Sequence, residues 1–178
     1  VRTVSLISPQ SHLFPAMMPT RKLKAVNTQT KTDLKLIWES GPLTKRDLNI
    51  PSGNNTNVTG SMLFKKGKLE NIDQRTYFRN VIFRCLEWSA DTLPGKGHLE
   101  RAHARFTLVI KGKYSGEWSL VLTHNTLTDT PAWAQHNAMT KISWGACKKL
   151  IADPSLLGAS LKLYKGKGGH LVFIMSIV

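Results

Sequence analysis

A chain of 178 residues, 41% apolar and 20% charged, is long enough to enclose one hydrophobic core and too apolar to be a disordered tail. Lys and Arg outnumber Asp and Glu by 25 to 11, a formal net charge of +14, which favours a polyanionic partner because released counterions drive association with nucleic acid. No apolar run of about 18–20 residues is present, so no membrane-spanning helix is expected.

The chain starts at Val1 without a signal-peptide pattern, and the expectation is an excised fragment of a longer cytoplasmic protein. Residues 3–8, TVSLIS, read as a short strand. Residues 9–33 carry Pro9, Pro15 and Pro19, a basic cluster at Arg21, Lys22 and Lys24, and the polar run VNTQTKT, the composition of a linker. A boundary is therefore placed at residue 34, with 1–33 as a terminal strand and linker from a preceding domain and 34–178 as the compact domain.

LKLIWE (34–39) alternates Leu34, Leu36 and Trp38 as a strand. A long loop follows SGPL and runs to Gly60, where MLF enters the next strand. Asp73 can cap a short helix in DQRTYFRNVIF, with Phe78 and Ile82 on one face. ADTLPGKG is open loop. FTLVIK and EWSLVLTH flank GKYSG as a hairpin, with Trp118, Leu120 and Leu122 on one side. A polar loop, HNTLTDTPAWAQHNAMT, comes next. Ser143 can cap a helix through WGACKKLI, and Asp153–Pro154 opens a second helical turn. SLKLY and HLVFIMSI close the chain as strands around KGKGG. The fold class expected is mainly β: a seven-stranded open pseudobarrel with two or three short helices, because strands and helices do not alternate as a parallel sheet needs.

Few residues suggest catalysis. His98 and His103 are five apart, the wrong spacing for a helical metal pair. No histidine has Lys two positions downstream, as phospholipase-D-type phosphate chemistry requires. Asp47, Glu39 and Lys45 do not form the local pattern of a metal-dependent nuclease. No cofactor or metal is expected. Cys85 and Cys147 form no zinc spacing and read as small buried or half-buried thiols. Asn54 and Asn57 open two glycosylation sequons, which matter only in a secreted protein.

The two polar loops fit DNA better. Asn offers a donor and an acceptor side by side, matching adenine N6 and N7, while Arg forks onto guanine O6 and N7. In KRDLNIPSGNNTNVTGS the candidates are Lys45, Arg46, Asn49, Asn54, Asn55, Thr56 and Asn57. The second loop offers His124, Asn125, Thr126, Gln135, His136, Asn137, Thr140 and Lys141. Long loops without secondary structure are uncommon unless functional or disordered. Lys22, Lys24, Lys65, Lys66, Lys165 and Lys167 are candidate phosphate contacts, which position without specifying.

LTKRDLNIPSGNNTNVTGSMLFKKG, DQRTYFRNVIF, LVLTHNT, QHNAMTKISWG and LLGASLKLYKG together resemble the C-terminal DNA-recognition domain of phospholipase-D-type restriction endonucleases, over roughly residues 36–178. That domain is similar to the plant B3 domain and to the effector domain of the restriction enzyme EcoRII. The resemblance implies a seven-stranded pseudobarrel whose two arms, LTKRDLNIPSGNNTNVTG and THNTLTDTPAWAQHNAMTK, enter the major groove of duplex DNA. It also implies a separate nuclease domain, through which the parent could dimerise. The first arm departs from expectation in having only Arg46 as an arginine. The alternatives are an RNA or single-stranded nucleic-acid module, a metal-dependent nuclease, and a secreted carbohydrate-binding domain. For the RNA reading, Trp38, Trp88, Trp118 and Trp144 look like core, leaving Trp133 to stack on bases.

Overall fold

The computed structural model describes residues 34–53, 58–166 and 172–178. The expected terminal strand and linker, with Lys22 and Lys24, lie outside them, as do Asn54, Asn55, Thr56, Asn57 and Lys167.

The described residues form one curled sheet. Its strands are β1 (Leu34–Glu39), β2 (Ser61–Leu63), β3 (Ser89–Ala90), β4 (Leu99–Ile110), β5 (Lys113–Asn125), β6 (Thr140–Ser143), β7 (Leu161–Gly166) and β8 (Phe173–Ile177). Seven run in the order β1-β7-β8-β4-β5-β6-β2, and the two-residue β3 pairs onto β4 beside that path. The result is the mainly β open pseudobarrel that the strand count predicts. All pairs are antiparallel except β4 with β8, which brings Phe106 opposite Phe173.

The central hairpin follows its alternation. Ala102, Ala104, Phe106 and Leu108 of β4 are buried, and so are Leu120 and Leu122 of β5. Its turn is tighter than the Gly-Lys-Tyr-Ser-Gly reading. Lys111 and Gly112, both at positive φ (49° and 76°), form the two-residue connection, as the right-handed twist of paired strands favours. The YSG residues belong instead to β5, where the register shifts between Thr107 and Val109. β4 also starts earlier than FTLVIK, at Leu99, and so takes in His103.

An aromatic cluster fills the curl. The Phe64 ring lies 5.2 Å from Trp38, 5.1 Å from Phe78 and 5.2 Å from Phe83, and Phe83 lies 5.4 Å from Phe173. These edge and offset contacts suit the aromatic quadrupole.

Several local readings are corrected. DQRTYFRNVIF does not make an ordinary α-helix: after a turn at Asp73, residues Phe78–Ile82 form a single π-helical turn that still buries Phe78 and Ile82. Ser143 ends β6, so the following turn starts from Trp144 without a side-chain cap, and passes from a 3₁₀ turn at Gly145–Cys147 into α2 (Lys148–Ile151). Asp153 does cap, accepting from the Ser155 amide at 2.8 Å. Leu34 and Leu36 are 44% exposed, because a register shift between Leu36 and Trp38 breaks the alternation of β1. Cys147 is buried but Cys85 is exposed. No described helix is long and apolar enough to cross a membrane.

Candidate nucleic-acid interface

The short pair β2–β6 determines where the two polar loops meet. Ser61 faces Ser143, Met62 faces Ile142 and Leu63 faces Lys141. Met62 and Ile142 are buried, so alternation turns Ser61, Leu63 and Lys141 to the other face. The first loop enters β2 and the second enters β6, at opposite ends of a ladder only about 7 Å long. Arg46, Asp47, Thr59 and Lys65 close around that face to form a cleft of about 230 Å³ with Ser61, Leu63 and Lys141.

The described part of the first loop is built, not slack. Thr44 and Asp47 bind each other: the Thr44 amide and hydroxyl donate to Asp47 Oδ2 at 3.1 and 2.7 Å, and the Asp47 amide donates to Thr44 Oγ1 at 3.3 Å. This is the reciprocal bonding of a helix start. The single turn ends at Asn49, which has φ 57°. There the Asn49 amide donates to the Arg46 carbonyl and the Ile50 amide to the Lys45 carbonyl. That is the pattern of a left-handed helix terminus, where Asn is the usual substitute for Gly. The Trp144 indole fastens the turn to the core by donating to the Asp47 carbonyl at 3.0 Å.

The second loop repeats this device. Thr130 accepts from the Trp133 amide and starts α1 (Pro131–Ala134), with Pro at its first position. His136, at φ 56°, ends the turn, and the Asn137 amide reaches back to the Ala132 carbonyl at 2.9 Å. A neighbouring segment then bolts the loop down. Gln74 donates to the His136 carbonyl at 2.7 Å while its Oε1 accepts from the Lys66 amide at 2.8 Å. Arg75, gripped by Asp73, lies over the Trp133 ring. Sequence reasoning missed Gln74 and Arg75, because nothing local distinguishes them from a solvated turn.

The candidate residues divide accordingly. Asn49 (1% exposed), His124 (6%) and Thr140 (0%) are buried, so the expectation that these side chains face a ligand is corrected. His124 Nδ1 lies 2.9 Å from Thr140 Oγ1, and burial holds the imidazole pKa below its ordinary value, against the nearby Glu100 carboxylate. Asn49 Nδ2 makes only a long 3.5 Å contact with the Asp47 carbonyl, and its Oδ1 has no partner among the described residues. Asn125 is half-buried and its Oδ1 accepts from the Leu127 amide; Thr126 is exposed but its hydroxyl donates to the His98 carbonyl.

Gln135, His136 and Asn137 are exposed at the loop tip. Asn137 Nδ2 donates to Gln135 Oε1 at 3.2 Å, which leaves the Asn137 oxygen as an acceptor and the Gln135 amide as a donor. Lys45, Arg46, Lys65 and Lys66 are exposed and Lys141 is half-buried at the cleft. Lys66 borders a second groove with Gln74, Arg75 and His136. Lys165 turns away from this region: its ammonium lies 3.5 Å from Cys85 Sγ and over the Phe173 ring. Trp133 is half-buried, and the Arg75 guanidinium occupies one face of its ring at 4.5 Å.

Comparison with family models, with curated proteins and with solved structures finds no match.

Proposed function

We propose that this chain is a non-catalytic, sequence-specific binder of double-stranded DNA, the target-recognition domain of a restriction endonuclease, working with a separate nuclease domain. The carrying observation is the convergence at β2–β6. Arg46 and Thr59 of the first loop share one cleft with Lys141, which follows the second loop. Residues almost a hundred positions apart thus form a single cationic surface on a rigid sheet. The net charge of +14 supplies the attraction to phosphates. Polar groups on the two loops supply the reading: the free acceptor of Asn137 and free donor of Gln135 match the N6 and N7 pattern of adenine.

The Arg75 guanidinium takes one face of Trp133, which reduces the aromatic surface open to bases and weighs toward duplex over single-stranded nucleic acid. Selection from a randomised duplex library at two salt concentrations tests the proposal. A short enriched motif that persists at the higher salt is the expected result. Absence of a motif, with affinity collapsing as salt rises, would reduce the protein to a phosphate binder. Stronger binding to single strands or RNA in competition would move the reading to that class.

A further inference from the structure

The cleft at β2–β6 carries more than general attraction. Arg46, Lys65 and Lys141 face it with one carboxylate, Asp47, so three positive charges less one negative leave +2. Asp47 cannot neutralise the other two cations. Its Oδ2 already accepts twice from Thr44, and its Oδ1 faces Lys65 at 3.7 Å. Among the described residues, the Arg46 and Lys141 side chains have no hydrogen-bond or ion-pair partner. Thr59 and Ser61 add hydroxyls that lie 3.0 Å apart, and the Thr59 hydroxyl also donates to the Ser61 carbonyl at 3.4 Å.

We propose that this cleft seats one tetrahedral oxyanion, a backbone phosphate when duplex DNA is bound, held by Arg46 and Lys141. The duplex part rests on the DNA-binding reading above; the anion seat does not. Apart from the committed Asp47, the charged groups there only donate, and a phosphate accepts on every side. A guanine edge also only accepts, but it is neutral, and enclosing it would leave two cations uncompensated in one cleft. At about 30 Å³ per water the space matches roughly eight waters, enough for one phosphate with part of its hydration. Arg46 and Lys141 therefore position the DNA, and base reading falls to the amides of the loops.

Two measurements test this. The first is titration of the ¹⁵N-labelled protein with inorganic phosphate, against sodium chloride at equal ionic strength. Saturable shifts confined to the Arg46 Nε–H and the amides of Thr59, Ser61 and Lys141 are expected. Arg46→Gln or Lys141→Gln should weaken phosphate binding about tenfold, the scale of one hydrogen bond to a charged group, while Lys66→Gln should not. Shifts that chloride reproduces, or that spread over the other lysines, overturn the proposal.

The second measurement is the salt dependence of duplex binding. Each single variant should flatten the log–log slope by up to about 0.9, and the double variant by no more than about 0.9, because both side chains hold the same phosphate. A double-variant change near 1.8 means two separate phosphates and overturns it. So does an unchanged slope with loss confined to the selected motif, which makes Arg46 a base reader. Phosphate binding without any duplex binding leaves the anion seat standing and removes the DNA reading.

Discussion

The Arg75 guanidinium lies 4.5 Å from the centre of the Trp133 ring and donates through Nη1 to the Trp133 carbonyl at 3.3 Å. Asp73 holds the guanidinium from the other side, and its carboxyl pKa is lowered chiefly by the Arg75 hydrogen bond. One side chain thereby joins a turn before the π-helix to the second polar loop. Arg75→Ala should expose the Trp133 indole and loosen α1. The expected outcome is a red-shifted, more quenchable Trp133 emission and a several-fold loss of affinity for the selected motif, with global stability little changed. Trp133→Phe separates this signal from the other tryptophans.

His124 makes stability depend on pH. Burial lowers its pKa; Glu100 opposes this and Arg79 adds to it. The folded protein therefore takes up its proton less readily than the unfolded chain, whose histidine pKa is about 6.5. Stability contributed by the neutral imidazole is fully present above about pH 6.5 and falls as pH drops toward the folded pKa. The urea midpoint should decline between pH 7.5 and pH 5.5, and His124→Gln should flatten that decline. The lowered pKa values of Glu39, Asp73, Asp91 and Asp153 act separately. They favour the fold above the unfolded carboxyl pKa of about 4 and lose their effect below it.

Gly67 sits at φ +59°, and a Cβ there would collide with the carbonyl oxygen of Glu39. The Glu39 carbonyl is also the acceptor for the Lys68 amide at 3.0 Å, so it cannot move without breaking the joint between β1 and the segment after β2. Gly67→Ala should cost at least about 2 kcal/mol, and Gly95→Ala, at φ +71° in open space, about 1 kcal/mol. Thermal denaturation of the two variants reads the difference directly.

The two thiols should react at very different rates. Cys85 is exposed, whereas Cys147 is buried and donates to the Trp144 carbonyl at 2.8 Å. Burial pushes the Cys147 thiol up to about 11. At pH 8 it is almost wholly protonated, and the thiolate is the nucleophile. A thiol reagent should modify one cysteine rapidly in the native protein and the second only after denaturant is added. Rapid modification of both would place Cys147 outside the core.

Much of the fold is legible in the residues. Alternation in LKLY, FTLVI and WSLVL marks strands because successive side chains on a pleated backbone must face opposite ways. The buried tryptophans Trp38 and Trp144 stand out by their apolar neighbours. Asp153–Pro154 identifies its own turn, since cap and proline act within one residue of each other. The chain likewise shows where its two polar loops lie and how much positive charge it carries.

What polar residues do within those loops is decided elsewhere. Asn49 and His124 look as available as Asn137 in the sequence, yet the first ends a helical turn at φ 57° and the second is buried in β5 opposite Thr140 of β6, within hydrogen-bond distance of its hydroxyl. Arg46 and Lys141 are 95 positions apart, and only the pairing of β2 with β6 brings them to one cleft. Local patterns are set by backbone sterics and side-chain period, which act over a few residues. Partners, burial and shared charge are set by which strands pair across the sheet, and that choice depends on the packing of the whole core.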